Sequence, residues 1–121
     1  MSVWVWIGVA LLGGFGACGR FLLHTLIDTR VAGDFPLGTL VVNTSGALLL
    51  GLLTGLAVEG DALLLAGAAT LGSYTTFSTW MLETHRLAED GKRLTAAINI
   101  LLSLLVGVGA VALGRAIGAR I

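Results

Sequence analysis

The chain has 121 residues, 56% of them hydrophobic and 12% charged, with seven basic residues against seven acidic. That charge content is about half of what a soluble domain carries, and the balance of signs gives no reason to expect a nucleic-acid or acidic partner. A single cysteine, Cys18, excludes an intrachain disulfide, and its apolar surroundings predict a small packing residue.

Four charge-free runs follow one another: Met1–Gly19, Leu37–Val58, Ala62–Leu82 and Leu94–Gly114, of 19 to 22 residues each. A helix needs roughly 20 apolar residues to cross the hydrocarbon core. The chain therefore reads as an all-α integral membrane protein, a single domain of four transmembrane helices over residues 1–121. The first helix is expected over 3–27. It begins without a basic n-region and leads straight into further spans, so it reads as a span and not as a signal peptide.

The link "DTRVAGDFP" holds the only proline, Pro36, at the start of a second helix over 37–58. Thr39 and Asn43 stand four apart on one face of that helix. An asparagine amide needs more partners than its own helix offers. Asn43 in mid-span is thus either an interhelical clasp or part of a pore. Gly51 and Gly55 form a GxxxG ridge for close packing within or between subunits. The link "EGD" then forces an antiparallel hairpin with the third helix, expected over 62–84.

That third helix carries "LGSYTTFSTWMLE", in which a glycine, β-branched residues and hydroxyls crowd into mid-membrane. The composition predicts a break in the helix. Irregular backbone at that depth is tolerated only against protein, an ion or water. Freed carbonyls can hold a small hard cation, and freed N–H groups can face an anion. Phe77 and Trp80 are three apart on one face. They fit ordinary packing, or an anion site built from weakly positive ring edges.

The charged link "THRLAEDGKR" leads to a fourth helix over 94–118. It has a polar stripe, Thr95, Asn99 and Ser103, and a small-residue ridge, Ala110, Gly114 and Gly118. Arg30, Arg86, Lys92 and Arg93 gather in the first and third links, while Arg115 and Arg120 lie with the termini. The positive-inside rule favours cytoplasmic first and third links. Arg20 is the one formal charge close to a span; it snorkels to the interface or draws anions into a vestibule. Glu83, at the far end of the third helix, caps a vestibule or meets water. His24 and His85 read as isolated surface histidines. No nucleophile–base pair, ligand cluster or phosphate loop is legible, so an enzyme is not expected.

Three blocks resemble the Fluc (CrcB) fluoride channels, over essentially the whole chain: "GACGR" with Arg20, "GTLVVNTSGALLLG" with Asn43, and "GSYTTFST" from Gly72 to Thr79. The resemblance implies passive fluoride export through the cell membrane, protecting against fluoride toxicity. It implies an antiparallel, dual-topology dimer in lipid, with a break in the third helix and two ion paths along the subunit interface. A structural sodium ion is implied on the two-fold axis, held by the carbonyls of Gly72 and Thr75. By motif position Asn43 matches the pore asparagine, Thr39 lies one turn nearer a vestibule, and Phe77 matches the first ring of the phenylalanine box. Ser78 and Thr79 join the polar track, Glu83 and Arg20 belong to the vestibule, and Ser103 is the fourth helix's contribution. One position departs: the second ring, usually phenylalanine, is Trp80, which is larger and adds an N–H donor. The K/R bias admits either a homodimer or pairing with an oppositely oriented paralogue.

Two other readings fit the size. A small dual-topology multidrug exporter needs a carboxylate embedded in its first helix, and the first acid here, Asp28, lies beyond the span expected over 3–27. A non-transporting assembly factor explains the glycines and leaves the hydroxyls of the third helix idle.

Overall fold

The computed structural model describes all residues, Met1–Ile121. Its regular elements are all helical: α1 (Val3–Arg30), α2 (Leu37–Gly55), α3 (Gly60–Leu63), a π-helix (Leu64–Leu71), α4 (Gly72–Tyr74), α5 (Ser78–Glu89) and α6 (Arg93–Arg120). Three of them, α1, α2 and α6, are long and apolar enough to cross a membrane. The third charge-free run makes no single rod. It is a chain of short helices interrupted at Thr75–Phe77, inside the stretch whose composition predicted a break.

The element ends depart from expectation for local reasons. α1 begins where Ser2 Oγ accepts the Val5 N–H at 3.3 Å, an N-cap bond, and runs a turn further than expected. α2 stops short of 58. The Ala57 N–H donates to Thr54 O at 3.0 Å and the Val58 N–H to Leu53 O at 3.1 Å, with Ala57 left-handed at φ 57°. This is the Schellman ending, with alanine where glycine is usual. α5 extends through half of the expected third link, because "THRLAE" is helix-competent; it ends in the same motif with Gly91 at φ 79°. Lys92 then pairs with Asp34 at 2.8 Å, bringing the first and third links to one end of the molecule, as expected for links separated by two crossings.

Close packing runs along glycine. A Cβ built on Gly51 would lie 2.3 Å from Val111 O, one on Gly114 2.1 Å from Leu48 O, and one on Gly118 2.5 Å from Leu52 O. The two small-residue ridges therefore mate within the chain, as the α2–α6 seam. Gly16 does the same for α1, which lies against Thr70 O and Ser73 Oγ. The widened π turn is marked by Thr70 Oγ1 donating five residues back to Leu65 O at 2.7 Å.

Burial runs opposite to that of a soluble domain. The side chains most completely enclosed are Val42, Asn99 and Thr39, while Trp4, Phe15, Leu105 and Val108 point outward. With lipid as solvent, small and polar residues belong between helices and large apolar ones outside. Cys18 follows the outward set: it is exposed, and so is not the packing residue expected from its neighbours.

Candidate functional site

The break is held by one side chain. Asn43 Nδ2 donates to Thr76 O at 2.8 Å, and the Thr76 N–H donates to Asn43 Oδ1 at 2.8 Å. Of the two readings of Asn43, the geometry shows the clasp: its amide bonds both the main-chain N–H and the C=O of Thr76, which belong to the two peptide groups flanking that residue. Thr76 in turn caps α5, its Oγ1 accepting the Thr79 N–H at 3.2 Å and lying 3.4 Å from Ser78 Oγ.

These bonds decide which backbone groups are left over. In an unbroken helix the Thr76 N–H would bond Gly72 O, and the Thr79 N–H would bond Thr75 O. Both donors are diverted, one to Asn43 and the other to the Thr76 hydroxyl. The Gly72 and Thr75 carbonyls thus lose their helical partners, and Gly72 is exposed.

The aromatic pair stands immediately beyond. The Phe77 and Trp80 centroids are 5.7 Å apart with ring planes at 82°, an edge-to-face contact. Phe77 is 70% exposed although it sits among apolar residues. The indole N–H that distinguishes Trp80 is directed away, to Asn99 O at 3.3 Å. Asn43, Gly72, Thr75, Phe77 and Trp80 all line one open groove of about 850 Å³.

A second polar group lies where α1, α2 and α5 meet. Thr39 Oγ1 donates to Glu83 Oε1. That donation uses the only hydroxyl hydrogen, so His24 Nε2, 3.1 Å from the same oxygen, is the donor to it. His24 Nδ1 is 3.3 Å from Asp28 Oδ2, and Nε2 is 3.9 Å from Glu83 Oε2. His24 is therefore not the isolated surface histidine expected; Gly38 opens α2 to it, since an added Cβ would meet His24 and Asp28. His85 stays exposed, beside Glu89 on the same helix. Arg20 is half-buried and enters none of the ion pairs.

Thr39 and Glu83 are thus brought together, as are Asn43, Gly72, Thr75, Phe77, Ser78, Thr79 and Trp80 around the break. Ser103 stands apart in a neighbouring groove between α2 and α6, within 3.5 Å of Asn99 Oδ1. Sequence reasoning missed the individual part played by Thr76, although a threonine three before Thr79 is a capping signal. It also missed Tyr74, whose hydroxyl meets Ser45 Oγ at 2.8 Å across the gap left by Gly46. Thr84 gave no signal at all.

Comparison with known proteins covers nearly the whole chain. The family described as "CrcB-like protein, Camphor Resistance (CrcB)" matches residues 7–115. The chain is 52% identical over 115 residues to "Fluoride-specific ion channel FluC 2" of Mycobacterium tuberculosis strain H37Rv, spanning 95% of this chain and 91% of that one. It is 46% identical over 121 residues to "Fluoride-specific ion channel FluC 1" of Symbiobacterium thermophilum, spanning 95% and 96%. The similarity to "Fluoride-specific ion channel FluC 2" of Haloarcula marismortui is 47% over 102 residues, spanning 82% and 86%. With long apolar helices, a clasped helix break and matches of this extent, the chain is a multi-pass membrane protein that belongs to the CrcB family.

Proposed function

We propose that this protein is a fluoride-selective channel of the cell membrane, passing fluoride passively and so limiting its toxicity, and that it works as two oppositely inserted copies. The observation that carries the reading is the break clasped by Asn43 beside an exposed Phe77. The relatives named as fluoride-specific channels supply the ion.

Fluoride is small and strongly hydrated, so a path must replace its water with donors. Asn43 uses one amide hydrogen on Thr76 and keeps a second. The hydroxyls of Ser78 and Thr79 lie on the next turn, and the rings of Phe77 and Trp80 offer positive edges. Because the Trp80 N–H is already bonded to Asn99 O, its contribution is a ring edge, as a phenylalanine's would be. Thr39, Glu83 and Arg20 form the vestibule. Ser103 joins the path when a second copy spans both grooves, which share Ala47 and Val111.

The broken helix from Gly60 to Glu89 serves as a fourth, interrupted crossing. Lipid cannot satisfy the freed carbonyls of Gly72 and Thr75. A second copy set antiparallel across the groove would cover them, and those carbonyls fit a structural sodium ion shared by both copies. When bound, sodium supplies a fixed positive charge that ties the two breaks together. The partner is a second copy of this chain or an oppositely oriented paralogue. None of these roles calls for bond-making chemistry, so the activity is transport and not enzymatic.

The test is efflux from liposomes holding purified protein and loaded with fluoride or chloride, with no proton gradient. Fluoride loss with chloride retained is expected, from particles of dimer mass. Equal loss of both ions, or a stable monomer that conducts, would overturn the reading.

A further inference from the structure

A closed hydrogen-bond circuit joins α5 to α6 behind the aromatic pair. Thr84 Oγ1 donates back to Trp80 O at 2.8 Å, and Asn99 Nδ2 donates to Thr84 Oγ1 at 2.8 Å. The main-chain carbonyl of Asn99, placed by that side-chain bond, then accepts the Trp80 indole N–H at 3.3 Å. Both polar ends of Trp80, its main-chain carbonyl and its ring N–H, are thus tied to Asn99. The amide of Asn99 has a defined orientation, since Oδ1 faces Ser103 Oγ and Nδ2 faces Thr84. Asn99 is only 1% exposed and Thr84 only 8%.

Phe77 has no comparable hold. Its ring is largely exposed, and its aromatic neighbour is Trp80. The attitude of Phe77 depends on Trp80, and that of Trp80 depends on the circuit. An asparagine enclosed between two helices is expensive unless its amide is fully bonded, so its presence calls for a role that an apolar residue could not fill.

We infer that Asn99 and Thr84 are positioning residues for the anion path: through Trp80 they fix the edge-to-face pair that the ion passes. The inference rests on the reading of Phe77 and Trp80 as path rings. Neither residue touches the ion; each acts through the tryptophan.

The test combines efflux with a signal from Trp80 alone. Replacing Trp4 and Trp6 by phenylalanine leaves Trp80 as the sole tryptophan, since the chain has three. In that protein Thr84→Val and Asn99→Leu keep volume and remove the side-chain bond that holds the Asn99 main chain, and with it the carbonyl that accepts the indole N–H, against α5. Fluoride efflux is expected to fall about fivefold in each, the factor matching about 1 kcal/mol for one net buried hydrogen bond. The fast component of Trp80 fluorescence depolarisation should grow alongside. Thr84→Ser retains the hydroxyl and should restore both signals. In a Trp80→Phe protein, where the indole N–H is gone, Asn99→Leu should cost less than about twofold, because coupled residues are not additive. Unchanged depolarisation in Thr84→Val and Asn99→Leu would overturn the inference. So would an equal efflux loss from Asn99→Leu with Trp80 and with phenylalanine there. If Trp80→Phe itself does not conduct, the Thr84→Ser rescue decides. Absence of fluoride efflux from the unmutated protein would instead sink the channel reading, and depolarisation would still report on the circuit.

Discussion

Shortening Asn43 to serine should disable the channel by releasing the break. The amide of Asn43 reaches across to the α4–α5 interruption and makes two bonds of 2.8 Å to the main-chain N–H and C=O of one residue, Thr76. A serine hydroxyl lies too near its own helix to meet both atoms, so both bonds are lost. Each buried hydrogen bond is worth about 1 kcal/mol net, so the clasped arrangement should weaken by about 2 kcal/mol. If conduction requires the clasp, that is a fall in the competent population of up to about thirtyfold. The measurement is fluoride efflux from liposomes, paired with the thermal unfolding midpoint in detergent. Asn43→Ser should lose at least several-fold in efflux and melt several degrees earlier. Asn43→Asp sharpens the test. It keeps the acceptor for the Thr76 N–H, but it sets an oxygen against Thr76 O and puts a negative charge on the anion's path. It should conduct no better than Asn43→Ser. Efflux lost with an unmoved midpoint in Asn43→Ser would refute the clasp, leaving Asn43 a mere lining residue. Normal efflux would remove it from the path altogether.

Phe77→Ile should abolish most fluoride efflux while moving the melting midpoint little, because the ring is 70% exposed and contributes little to packing; a normal rate would exclude its ring edge as an ion contact. Gly46→Ala should mimic Asn43→Ser, because its new Cβ would sit 2.3 Å from Thr75 Cγ2 and push the break off α2. The double mutant should then be little worse than either single one, and full additivity of the losses would count against a shared mechanism. Ala57→Gly should stabilise the protein by about 1 kcal/mol, since alanine is held at φ 57° in an exposed helix ending where glycine carries no steric cost; no rise in the melting midpoint would refute this.

Run length was enough to place α1, α2 and α6, because lipid demands about twenty apolar residues wherever a helix crosses. The break was legible for a different reason. Hydroxyls and glycine crowded between Leu71 and Trp80 could not all be satisfied within a regular helix. The π turn was not legible, since "LLAGAATL" suits an α-helix equally well and the choice is made by the close approach of Gly16 to Thr70. The end of α2 was hidden because alanine gives no warning of a left-handed residue. His24, Thr84 and Asn99 were misjudged or passed over for a common cause. Each has a partner on another helix, Thr39 for His24 and Thr84 and Asn99 for one another, and nothing in the spacing along one chain announces a bond 15 or more residues away.

What holds the third segment broken is best seen from α2. Three of its small residues open it to three different neighbours. Gly38 admits His24 and Asp28 of α1, Gly46 admits Thr75, and Gly51 admits the backbone of α6 at Val111. The functional side chains occupy the turns between: Thr39 beside the first opening, Asn43 between the first and second. Glycine sets how close each neighbour comes, and the adjacent polar residue then bonds what has come close. Asn43 can reach Thr76 only because Gly46 lets Thr75 lie against the helix. The contact from Thr39 to Glu83 belongs to the same strip, one turn of α2 away from Asn43. An anion moving along this strip would meet hydroxyl, then amide, then ring edge in the order in which α2 presents their supports. That ordering needs no fixed charge within the span, which is what a solvent as intolerant of charge as lipid would require.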